Sequence, residues 1–235
     1  MKIHRIPVAA LVTGLVGLAG LQAGCNIGTP AAYALFGAGT IDAEYELAPV
    51  RTVVFVDDRA NELPRTTLRT SIADKVSTDL LAEGCITSAI EPRQAITVTR
   101  KKEGSGKPMS IAAIGRELDC QQVIYVQIVE FTLQGDGEFT SMGSETGVGV
   151  RPTAKVSVKV IDVVNGVRAY PGGDLTGGRE LTATMREVDP NQLQSFSSRR
   201  AVEDKLALEL GEQIAKLFYE HDRIEHGENL GPRDK

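Results

Sequence analysis

The residues of this chain that could carry chemistry are few and far apart. Asp57 and Asp58 close an apolar run, RTVVFVDD, and a lone acid, Glu130, interrupts another, VIYVQIVEFTL. Paired carboxylates can bind a cation or move a proton, but strands commonly end in aspartate because its side chain bonds the turn that follows. GSGKP, at 104–108, has the glycines and lysine of a phosphate loop. A Walker loop needs GxxxxGK followed by Ser or Thr; Lys101 takes the first glycine's place and Pro108 follows the lysine, so that reading fails. The histidines are His4, His221 and His226, which offer no metal-ligand spacing, and no GxSxG elbow supplies a nucleophile. No catalytic residue, metal site or cofactor is expected, and the chain does not read as an enzyme. Gly135, Gly137, Gly143, Gly147 and Gly149, within the stretch 134–150, read as a flexible connection between strands.

Cys25 is the exception. Lys2 and Arg5 precede an apolar, uncharged run from Val8 to Leu21, and Gln22-Ala23-Gly24 brings small residues up to the cysteine. That is the layout of a secretory signal, and its core is shorter than the roughly 20 residues a membrane-spanning helix needs. The small pair resembles the lipobox of bacterial lipoproteins, in which the cysteine thiol receives a diacylglyceryl group and becomes the new N-terminus. The usual leucine three places before the cysteine is Gln22 here, with Leu21 one further back. The resemblance implies a lipid anchor at Cys25, with each buried methylene contributing about 0.8 kcal/mol to membrane binding. It also implies a place on the periplasmic side of a bacterial envelope. Asn26 lacks the aspartate that retains some lipoproteins at the inner membrane, which points to the outer one.

Removing residues 1–24 from a chain of 235 leaves 211, enough for one domain. The loss of two positive charges takes the formal net charge from −5 to near −7. An acidic balance and the absence of tryptophan exclude nucleic acid as an expected partner. Cys85 and Cys120 each follow a helix-like segment and precede a strand-like one. Equivalent places in successive αβ units can lie at one end of a sheet, and export permits a disulfide. Two buried free thiols are the alternative, and pairing fails if another strand keeps the Cα atoms more than about 7 Å apart.

The elements that position these residues follow from periodicity. Residues 25–49 are small and aperiodic and read as a tether. RTVVFVDD, 51–58, is a buried strand. Pro64 opens a helix in which Leu68, Ile72, Val76 and Leu80 recur every four residues and Gly84 ends it. ITSAI, 86–90, is a short strand, Pro92 starts a short helix, and Ser110 caps another. Residues 123–133 are apolar on both faces, as in a central strand. AKVSVKVIDVVNGVRAY is a long hairpin turning at Asn165-Gly166, and ELTATMREV one more strand. Val202, Leu206, Leu210, Ile214 and Leu217 line a closing amphipathic helix from Ser198 to Tyr219. The expected fold is a single α/β layered domain over 50–222, with a mixed sheet of parallel βα units followed by a long antiparallel hairpin, and a polar tail at 223–235.

Two family resemblances bear on function. VVFVDD resembles the acidic pair of response-regulator receiver domains, but those need an aspartate ending a later strand and VIYVQI offers none. The broader likeness is to envelope lipoproteins: the curli-secretion lipoprotein CsgG, the penicillin-binding-protein activators and the amino-terminal domain of TolB. It is carried by Leu68, Ile72, Leu80 and Gly84, by Ile111, Ala112, Leu118 and Asp119, by Tyr125, and by Asp162 and Gly166. It implies a non-catalytic module that binds another envelope protein. A CsgG-like channel subunit is the alternative. A membrane-spanning strand needs about 9–11 alternating residues, which residues 134–150 do not show and LTATMREV is too short to give.

Overall fold

The computed structural model describes residues 39–103, 109–134, 149–173 and 177–223. The signal, Cys25, GSGKP, most of the glycine-rich stretch and the tail beyond Arg223 lie outside the described residues. In chain order the first elements are β1 (Thr40–Ile41), β2 (Arg51–Asp57), α1 (Thr67–Ala82), β3 (Ser88–Ile90), α2 (Pro92–Glu103) and α3 (Ile111–Glu117). Then come β4 (Gln122–Thr132), β5 (Thr153–Asp162), β6 (Val167–Tyr170), β7 (Arg179–Thr184), α4 (Phe196–Ala215) and β8 (His221–Asp222).

The chain divides into two units. Of the smaller, the described part is a ribbon in which β1 pairs antiparallel with β8 and the Arg223 N–H donates to the Gly39 carbonyl at 2.9 Å. The larger, Asp42–Glu220, is an α/β layered domain on a mixed sheet ordered β3-β2-β4-β5-β6, with β7 also on β5. β3, β2 and β4 run parallel; β5 is antiparallel to β4, β6 and β7.

Side-chain alternation assigns the two faces. Val54, Val56, Ile124, Val126, Val156 and Val158 point one way and pack against Leu68, Ile72, Val76 and Leu80 of α1 and Leu206, Leu210 and Ile214 of α4. Val53, Phe55, Val123 and Ile161 point the other way, against Ala95 of α2 and Ala112 and Ile114 of α3. Gly84, at φ +70°, lets α1 stop: the Cys85 N–H turns back to the Leu80 carbonyl at 2.9 Å. Ser110 Oγ accepts from the Ala113 N–H at 3.2 Å and starts α3, as its position in the sequence predicts. Ser195 does the same for α4, which therefore begins at Phe196, before the expected Ser198.

The structure sharpens three readings of the sequence. The hairpin forms as expected, with a return arm much shorter than the outgoing one. Asp162 Oδ1 accepts from the N–H groups of Val164 and Asn165 at 2.9 and 3.0 Å, and Gly166 takes φ +68°, so the turn forms where expected. The return strand β6 has four residues because Pro171, with no N–H, cannot extend the ladder. β7 occupies the rest of that edge of β5. Second, residues 42–49 pack on the domain and are no tether: Leu47 is buried, and the rings of Tyr45 and Tyr170 stand 5.2 Å apart. Too few apolar residues act there to leave a period. Third, Cys85 and Cys120 are free thiols and make no disulfide. β2 lies between the strands they precede, and they pack with opposite faces of the sheet.

Candidate functional site

Among the described residues, helices cover one face of the sheet and about half of the other. α2 and α3 lie over β2, the start of β4 and the end of β5. Beyond Tyr125 no described helix covers that face. Its rows run Gln127–Ser157–Glu180, Glu130–Lys155–Thr182 and Thr132–Thr153–Thr184 across β4, β5 and β7. The opposite sides of the same strands are apolar: Ala154, Val156 and Val158 are buried beneath α4 and α1. The sheet is therefore two-sided where helices flank it and one-sided beyond.

One ion pair spans the bare half. Lys155 Nζ sits 2.6 Å from Glu130 Oε2, which gives the lone acid of the sequence a partner directly across the ladder. A bulge between Ile128 and Glu130 leaves Val129 exposed at 50%. Ser157 Oγ donates to the Gly177 carbonyl, and Gly178, at φ +94°, lies so close to Ser157 that a Cβ would collide with its hydroxyl. The turn leading into β7 is thus fastened to the sheet, and glycine is required there twice over.

At the inner border stands the acid pair of β2. Asp57 is buried and accepts from the Tyr125 hydroxyl at 2.7 Å; Arg59 Nε lies 3.2 Å from the same oxygen. Burial, and then the Asp57 carboxylate, push the Tyr125 hydroxyl well above the ordinary tyrosine range. Asp58 instead accepts from the N–H groups of Glu62 and Leu63, as a turn aspartate does. The turn-aspartate reading holds for Asp58 and fails for Asp57.

A second cluster ties residues 42–49 down. Arg179 Nη2 and Nε meet the Glu44 carboxylate at 2.6 and 2.7 Å, and the Tyr170 hydroxyl donates to it at 2.8 Å. The Arg179 bonds hold the Glu44 carboxyl below its usual range, against burial, while burial and Glu44 push Tyr170 up to about 12. Arg65, at the foot of α1, reaches Glu203 and Asp204 of α4, each at 2.7 Å. The thiols are shielded: burial raises Cys85, and raises Cys120 to about 11. Neither is a candidate nucleophile, since the thiolate is the reactive form.

The described surface includes two open grooves. One, of about 390 Å³, lies between Pro64, Phe131, Leu133, Leu193 and Arg199. The other, of about 400 Å³, is lined by Tyr45, Val50, Gln122, Asp162, Val164 and Ala169. Among the described residues, no group of three His, Cys, Asp or Glu side chains could hold a metal ion, and no helix is long and apolar enough to cross a membrane. The bare half-face was missed from sequence, although the alternation in KVSVKV carried its signal.

No family model and no curated protein matches the chain. Solved structures do. PelC from Paraburkholderia phytofirmans, a dodecamer, is similar at 16% identity over 77% of this chain and 96% of its own, with a TM-score of 0.36. Lipoprotein GNA1162 from Neisseria meningitidis is similar at 14% identity over 71% and 99%, TM-score 0.36. The C-terminal domain of LpoB from Salmonella enterica is similar at 10% identity over 61% and 87%, TM-score 0.31.

Proposed function

We propose that this chain is a lipid-anchored, non-catalytic protein-interaction module of the bacterial envelope. It is held through Cys25 on the periplasmic side, at the outer membrane. The anchor rests on the sequence: a charged start, a short apolar core and a small pair abutting Cys25. The interaction role is carried by the half-face of the sheet that no described helix covers, a polar surface whose side chains sit on paired strands. Polar side chains held on strands, with Lys155 and Glu130 already paired, suit recognition of another folded surface. Elsewhere the strong acid–base contacts tie element to element, as Arg65 ties α1 to α4.

Two measurements test the two halves separately. Mass spectrometry of the mature N-terminus should find a diacylated Cys25; an unmodified chain beginning elsewhere would remove the anchor. A photo-crosslinking residue at Gln127, in living cells, should trap one envelope protein. A residue on the exposed side of α1, such as Asp74, should not. Equal capture at both positions, or none at Gln127, would remove the interaction face.

A further inference from the structure

We infer that β7 is the seam of a two-fold homodimer, in which Thr182 of one copy lies opposite Thr182 of a second and the two sheets join edge to edge. Among the described strands the sheet has three outer edges, and two are blunted. β3 has three residues, and β6 is cut short by Pro171. β7 has six, and Arg179–Thr184 contains no proline, lysine or bulge. Its only neighbour among the described strands is β5.

Hydrogen-bond parity says which groups face outward. The Met185 N–H donates to the Pro152 carbonyl at 2.9 Å. Antiparallel pairs alternate, so Ala183, Leu181 and Arg179 also turn their backbone groups to β5. The N–H and C=O groups of Glu180, Thr182 and Thr184 therefore point away from it. The Glu180 carbonyl takes a bond from Arg179 Nη1 at 3.0 Å and keeps its second lone pair.

The occupant follows from the residues on this edge. A strand that pairs here must offer the same alternate spacing, and β7 offers it to itself. Centring the two-fold on Thr182 sets Glu180 opposite Thr184 at both ends and uses every outward group of both strands. Centring it on Glu180 sets two carboxylates face to face, and centring it on Thr184 runs the pairing past the strand's end. On the polar face the central pair is Thr against Thr, a favourable cross-strand match. On the other face half-buried Leu181 meets buried Ala183. The contact is isologous and closes at two copies. It does not depend on lipidation of Cys25.

The test uses the full chain. Directly opposed residues of such a pair have Cα atoms about 5.5 Å apart, within the range of about 4.4–6.8 Å that a disulfide spans. Thr182→Cys should give a disulfide-linked dimer under mild oxidation, well above the background set by the native cysteines. Thr184→Cys alone should not, because the two-fold offsets its copies by four residues, about 14 Å. Two tagged chains carrying Glu180→Cys and Thr184→Cys should link to each other. Thr182→Pro removes an outward N–H without touching the bonds to β5, so the unmodified-cysteine dimer should fall to monomer with its far-UV spectrum kept. A chain that sediments as a monomer at every soluble concentration, with no Thr182→Cys dimer above the Thr184→Cys level, would overturn the inference. Linkage of Thr182→Cys to a different protein would overturn it too, since the edge would then serve a foreign strand.

Discussion

Replacing Tyr125 with Phe isolates the one buried hydrogen bond at the border of the bare face. Phe keeps the ring that packs 6.0 Å from Phe55 and deletes only the hydroxyl bonded to Asp57. Asp57, 4% exposed, keeps Arg59 Nε at 3.2 Å. A bond to a charged group contributes about 1.5–3 kcal/mol, and Arg59 offsets part of its loss, so a destabilisation of about 2 kcal/mol is expected. In a domain of this size that lowers Tm by roughly 4–8 °C. Asp57→Asn keeps an acceptor and should cost less. The double variant should cost less than the two singles together, since both break one interaction. The hydroxyl, raised in the folded state, also gives an alkaline signature. Its stabilisation is whole below the unfolded tyrosine value of about 10 and is lost as pH rises above it. Urea melts at pH 7 and above pH 10 read both effects. A Tyr125→Phe protein within about 0.5 kcal/mol of the parent, or strictly additive effects, would refute the reasoning.

The remaining predictions concern the chain's other ties. Glu44, lowered chiefly by Arg179, stabilises the fastening of residues 42–49 above its unfolded value. That contribution is lost as pH falls through the folded one, so hydrogen exchange at Tyr45 and Leu47 should quicken in mild acid and in Glu44→Gln at pH 7. Because the Glu44 side chain is 40% exposed, solvent screening keeps the global effect under about 1 kcal/mol. Gly84→Ala puts a side chain at φ +70° and should cost about 1–2 kcal/mol in urea melts, without crowding any neighbour. Denatured, unreduced protein should show both Cys85 and Cys120 to a thiol reagent, while the native protein reacts slowly; a missing pair of thiols would mean that the two are bonded.

The helices and the central strands were legible because burial on one or two faces leaves a period. Leu68, Ile72, Val76 and Leu80 mark α1, and the β-branched run of β2 marks a strand covered from both sides. The ends of elements were less legible, since they depend on single bonds: the Ser195 cap moves the start of α4 from the expected Ser198 to Phe196. What failed outright rested on contacts distant in sequence. The fate of Asp57 is decided by Tyr125, 68 positions later, and a strand-end acid reads the same whether it turns to water or back over the sheet. Residues 42–49 look like a linker because Glu44 finds Arg179 only after β7 has taken its place.

The border between covered and bare sheet is nevertheless present in the sequence. In β4, Val123, Ile124, Tyr125 and Val126 are buried in succession, and from Gln127 onward exposed or half-buried residues interrupt the run. In β5 the polar set Thr153, Lys155, Ser157 and Lys159 alternates with Ala154, Val156, Val158 and Val160 until Ile161, where both faces become apolar. Because β4 and β5 are antiparallel, the late part of one lies beside the early part of the other: Gln127 faces Ser157 across the ladder. Two strands read separately each show a change of pattern; read in register, the changes fall within one row of each other, along a line from Gln127 to Lys159, which faces Tyr125. That line is the edge of α2 and α3, so the half-face beyond it was never patterned for a helix. A surface patterned for water on one side, over a core patterned for burial on the other, is where a partner can bind without unfolding anything.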